Sequence, residues 1–197
     1  MDDTRPPHDS DGITHTQQIV GTLLHYSRAV DNTMLVSLSY LTAAQTTSTD
    51  KTAFALTKLL NYASTHTNAT LHYVASDMIL HIYSDVSYGS EPKSRIRAGG
   101  LFKLTSRAAD PTKPPIATPT HNGAIHTISN IMRNVMLSAT EAEAGGLFHK
   151  EKYGVTLRIT LSEMVHPQPA TPIQTDNTTL PASQTEMSSK ENQKRWT

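Results

Sequence analysis

The run from Met78 to Tyr88, M-I-L-H-I-Y-S-D-V-S-Y, limits most sharply what this chain can fold into. Ile79, Leu80, Ile82 and Tyr83 suit a pleated, half-buried strand, and the run is too short for an ordinary helix. Asp85 closes it just before Ser87, Tyr88 and Gly89, so its carboxylate is expected where the centre of a sheet opens to solvent. Two other stretches put acids in comparable places, T-E-A-E-A at Thr140 to Ala144 and I-Q-T-D-N at Ile173 to Asn177.

The 197 residues allow one domain with a sizeable core, or a domain with a helical appendage. Hydrophobic residues make up 37% of the chain, below the roughly 45–50% of ordinary globular chains even with the nine glycines added, so part of it is expected to stay unfolded. Seventeen basic and seventeen acidic side chains cancel, and any grip on nucleic acid must come from a local patch. There is no cysteine, which excludes disulfides, thiolate catalysis and Cys-based zinc sites. Neither a signal peptide nor an apolar run of about 20 residues is present, so the expectation is a soluble, intracellular protein with no membrane partner.

In chain order, residues 1–14 are polar and proline-bearing and are expected to form a disordered tail. Residues 15–68 carry three helical patterns: Ile19, Val20, Leu23 and Leu24; then Met34, Leu35, Leu38 and Leu41; then Leu56, Leu59, Leu60 and Ala63. The third starts after Ser48 or Thr49, with Asp50 in its first turn. Thr70 to Val74 alternates apolar and polar residues, and with Ser76-Asp77 as a turn it predicts a hairpin leading into the strand of Asp85. Ser94 to Ser106 reads as a further strand, in which Ala98, Gly99 and Gly100 leave room for a close approach or a bulge. A Pro- and Thr-rich loop over 107–121 precedes a strand from Gly123 to Ile128, and a polar tail is expected over 186–197.

Around Ser138 two helix starts are possible. Ser138-x-x-Glu141 forms a capping box that leaves Glu143 free, whereas Thr140-x-x-Glu143 forms a rival box that would reverse the two glutamates' roles; the first is the preferred reading. Gly145-Gly146 costs a helix about 1 kcal/mol per glycine relative to alanine, which close packing on a sheet would justify. V-T-L-R-I-T-L at Val155 to Leu161 alternates like a strand, although Leu157, Leu161 and Met164 also share a helical face.

Taken together, Y-S-D-V-S-Y at Tyr83 to Tyr88, S-R-I-R-A-G-G at Ser94 to Gly100, N-G-A-I at Asn122 to Ile125, L-S-A-T-E-A-E-A at Leu137 to Ala144 and P-I-Q-T-D-N at Pro172 to Asn177 resemble the ribonuclease H domain of copia-type retrotransposon polyproteins. The resemblance spans roughly Gln17 to Thr185, and T-Q-Q-I-V-G-T-L-L-H-Y-S-R-A-V-D at Thr16 to Asp31 looks like the start of the connection segment that precedes the nuclease domain there. It implies an α/β (α+β) fold: a ribonuclease H-like mixed sheet with flanking helices over residues 69–185, preceded by a helical connection segment over 15–68. It also implies that Val155 to Leu161 continues the helix of Glu143. Family members go on past the third acid to a last helix bearing a fourth. The residues after Asp176 are too few and too polar to supply it, so the resemblance is expected to be incomplete on its C-terminal side, and the loop over 107–121 reads as an insertion.

The resemblance further implies that Asp85, Glu143 and Asp176 bind Mg2+, or Mn2+, and hydrolyse the RNA strand of an RNA–DNA hybrid, Asp85 bridging two ions and the others serving mainly one each. Two alternatives share the scaffold: an inactive retroelement relic, and a nucleic-acid- or protein-binding module without catalysis. Lys93, Arg95 and Arg97 recur with period two and are candidates to grip phosphates from one side of a strand, or else belong to a solvated sheet face. His72, His81, His121 and His126 show no metal-ligand spacing and are read as packing or surface residues.

Overall fold

The computed structural model describes residues 6–91, 94–106 and 122–176. Its helices are α1 (Ser10–Ala29), α2 (Leu35–Ala44), α3 (Asp50–Thr65) and α4 (Ala139–Glu163), and its strands β1 (Ile79–Glu91), β2 (Arg95–Thr105), β3 (Ala124–Met132) and β4 (Ile173–Thr175). The strands form one mixed sheet in the order β3-β2-β1-β4. β1 pairs antiparallel with β2, β2 antiparallel with β3, and β1 parallel with β4. A parallel neighbour needs a crossover connection, which α4 supplies. This mixed α/β architecture agrees with the ribonuclease H-like α+β expectation.

Two apolar clusters hold these elements. Val20, Met34, Leu38, Leu41, Leu56 and Leu59 form a core among α1, α2 and α3. Leu80, Ile82, Phe102, Leu104, Ile128, Leu161 and Ile173 form a second between the sheet and α4. Side chains alternate across a strand, so Leu80, Ile82, Ser84 and Val86 of β1 face α4 and Tyr83 faces the other way. On that second face Tyr83, Asp85, Arg97 and Ser129 line an open groove of about 790 Å3 whose wall includes Leu35 and Val36 of α2. Among the described residues no helix is long and apolar enough to cross a membrane.

Several local expectations change. The tail predicted over 1–14 gives way to helix from Ser10, because Asp9 accepts a hydrogen bond from the Gly12 N–H at 2.9 Å and so caps α1. His8 is already tied down, its N–H donating to the Ser48 carbonyl at 2.7 Å. The hairpin predicted from Thr70 to Val74 does not form, since β1 already has β2 and β4 on its two edges. Instead that segment docks at the start of β3: the Asn122 side chain accepts from the Val74 N–H and donates to the Val74 carbonyl, each at 3.1 Å, and the Gly123 N–H donates to the His72 carbonyl at 2.8 Å. Val155 to Leu161 is helical, as the resemblance implied and the local alternation did not. The loop over 107–121, with His121, and the tail over 186–197 lie outside the described residues.

Candidate metal centre

β1 brings Asp85 to the point where its apolar half ends. Leu80, Ile82 and Ser84 are buried, whereas Asp85 and the residues from Ser87 to Ser90 are exposed. β4 lies alongside, with Ile82, Tyr83 and Ser84 opposite Ile173, Gln174 and Thr175, so Asp176 emerges beside Asp85. The linker ahead of β4 is pinned from both sides. Arg158 of α4 donates to the Thr171 hydroxyl at 2.5 Å, to the Gln168 carbonyl at 3.2 Å and to the Pro169 carbonyl. The Gln168 amide accepts from the Leu80 N–H at 2.9 Å and donates to the Met78 carbonyl at 2.8 Å, extending the β1 ladder with a side chain.

α4 supplies the third acid. The Ser138 hydroxyl accepts from the Glu141 N–H at 3.1 Å, and the Glu141 carboxylate accepts from the Leu137 N–H at 2.6 Å. The first of the two capping boxes is therefore the one formed, with Glu141 reaching one residue ahead of the cap. Glu143 is left free, turned inward and only 7% exposed. Gly146 explains how the helix comes so close: a Cβ there would lie 2.3 Å from Cγ2 of Val86.

One carboxylate oxygen from each of Asp85, Glu143 and Asp176 lies within 4.8 Å of the others. Burial raises the pKa of Glu143; the Lys150 charge opposes this, the Asp176 and Asp85 charges add to it, and a hydrogen bond from Thr175 at 3.4 Å opposes it again. Such an all-oxygen donor set suits a hard divalent cation. The three oxygens are close enough to share one ion once small side-chain movements bring them into ligand distance. The three residues can hold a metal ion; its identity is a separate matter.

Of the basic candidates, Arg97 is held elsewhere. Arg97 is buried, with Nε on the Glu91 carboxylate at 2.6 Å and a second nitrogen on the Ser129 hydroxyl at 3.3 Å, so its charge is already engaged within the groove. Arg95 is exposed at the start of β2, and Lys93 lies outside the described residues. His81 and His126 lie on β1 and β3, and burial lowers the pKa of both. His81 stacks on Tyr83, and His126 packs against Phe102 and Tyr153. His72 is exposed in the docked segment.

One residue escaped the sequence reading. Lys150 of α4 is 0% exposed, and its ammonium donates to the Ser84 hydroxyl at 2.7 Å and the Asp85 carbonyl at 3.0 Å. Burial lowers its pKa to about 8, against the opposing pull of Glu143 and Asp85. Its spacing of two helical turns from Glu143 was the available signal, because residues so placed share a helix face.

Protein-family models, curated proteins and solved structures were all compared with the chain, and none matches it.

Proposed function

We propose that this protein is a ribonuclease H-like, metal-dependent phosphodiesterase of copia-type retroelement descent, acting on the RNA strand of RNA–DNA hybrids. The observation that carries the reading is the convergence of Asp85, Glu143 and Asp176 from a strand, a crossover helix and a parallel neighbouring strand. Acids from separate elements meeting at one sheet margin, in that chain order, are what the ribonuclease H-like resemblance implies.

Asp85, Glu143 and Asp176 would hold Mg2+ or Mn2+, which when bound activates water near neutral pH and neutralises charge on the leaving oxygen. The chain's own contribution is to orient. Asp85 is fixed by the β1 ladder and by Lys150 at its carbonyl, Glu143 by its buried place on α4 and the Thr175 hydroxyl, and Asp176 by the pinned linker before β4. The groove beside Asp85 is lined by Ser87, an exposed hydroxyl residue and neutral partner for a sugar–phosphate backbone and its 2′-hydroxyls.

Incubation with Mg2+ and a hybrid labelled on its RNA strand tests this. The expected result is internal cleavage, lowered at least about a thousandfold in Asp85→Asn, since an amide loses both the charge and one ligand oxygen. Absence of cleavage by the wild type would contradict it. Arg97, already engaged by Glu91, leaves one cation fewer to grip phosphates. Salt-sensitive hybrid binding without turnover would instead select a scaffold that binds nucleic acid without cleaving it.

A further inference from the structure

Lys150 occupies a place built for it. A Cβ on Gly100 would lie 3.2 Å from both Cγ and Cε of Lys150, and one on Gly146 would lie 3.3 Å from its Nζ, so two glycines on facing elements clear its path. The side chain of a helical residue leans toward the helix N-terminus, which carries this ammonium from two turns downstream back toward Glu143. Lysine is almost never fully buried unless paired. Here the two acceptors that hold Nζ are a hydroxyl and a backbone carbonyl, both neutral. The positive charge is therefore fixed beside the carboxylates without being consumed by any one of them.

We propose that Lys150 is a resident counter-cation that limits the carboxylate site to a single divalent ion in the protein free of nucleic acid. The inference rests on the reading of Asp85, Glu143 and Asp176 as metal ligands. Three carboxylates and one ammonium leave two negative charges, which one divalent cation balances. A second divalent ion would leave an excess of two positive charges in a partly buried site, where the effective dielectric is far below that of water and repulsion is strong. Charge balance for a second ion then has to come from elsewhere, and a substrate phosphate is the natural source. Lys150 is thus a positioning and stoichiometry-setting residue rather than a catalytic one.

Calorimetric titration of the nucleic-acid-free chain with Mn2+ at pH 7 tests this, with the bound ion also counted by electron paramagnetic resonance. The wild type is expected to bind one ion, and Asp85→Asn to lose it. Lys150→Met removes the charge, and Lys150→Gln removes it while keeping a hydrogen-bond donor for Ser84; whichever variant keeps the wild-type circular dichroism is expected to bind Mn2+ at least about tenfold more tightly, or to take up a second ion. Two ions bound to the wild type would overturn the proposal whatever the variants do. Asp85-dependent binding of one ion, unchanged in affinity and number in the Lys150 variants, would overturn it while leaving the metal centre intact. No Asp85-dependent binding at all would instead sink the metal-centre reading on which it rests.

Discussion

Along α4, the later turns bury Leu161 and pack Val155 and Leu157 against the cluster of Leu80, Ile82, Phe102 and Ile173. The earlier turns press Ala142, Glu143, Gly146 and Lys150 toward the same sheet, where they meet Ser84, Val86 and Gly100. One helix and one strand therefore change chemistry together about midway along their contact. Apolar burial at one end stabilises by about 25 cal/mol per Å2 removed from water. At the other end burial works against two ionisable groups, raising the pKa of Glu143 and lowering that of Lys150. The first end holds the crossover in place, so that the second can keep charges in an arrangement they would not adopt unaided.

If that division is right, truncation at the apolar end should be the more damaging to folding. Phe102 is fully buried in the cluster, and Phe102→Ala is expected to cost about 3–5 kcal/mol, read from urea unfolding midpoints. A loss below about 1 kcal/mol would mean that the sheet is held by something other than this core.

The polar end should show itself through pH. The pKa of Lys150 is about 8 in the folded protein, against 10.5 for the free side chain, so between those values the unfolded chain binds more protons and folding stability rises with pH. The cost of burying the charge is present in full below about pH 8 and is relieved on the way to pH 10.5. Measured in chelator against Lys150→Met, which cancels the titration of other groups, the wild type is expected to gain up to about 3 kcal/mol over that window. A difference that stays flat with pH would show that the lysine is solvated.

How far these features could be read in advance depended on the range of the interactions that set them. Three helices, three of the strands and the Ser138 cap follow from local periodicity and capping chemistry, which act over a few residues. The acids were legible as strand and helix ends, but their convergence followed from topology, which the resemblance implied. Val155 to Leu161 misleads locally because Leu157 and Leu161 satisfy both periods, and continuity with α4 decides the matter. The docking of His72 to Val74 on Asn122 could not be seen, because it joins residues 48 apart in the chain. Arg97 resembled a phosphate ligand, but Glu91, which pairs with Arg95 beyond the β1–β2 register shift, engages it. Lys150 went unread, because its path inward depends on Gly100 and Gly146, which only the packing of α4 on the sheet brings to it.

The most direct test of the metal centre is the gain in thermal stability on adding Mg2+ to the wild type and to Asp85→Asn, Glu143→Gln and Asp176→Asn. Preferential binding to the folded state adds about 2.7 kcal/mol at one hundred times the dissociation constant. The account predicts that gain for the wild type and its loss in each of the three variants. An equal rise in all four proteins, or none in the wild type, would contradict it.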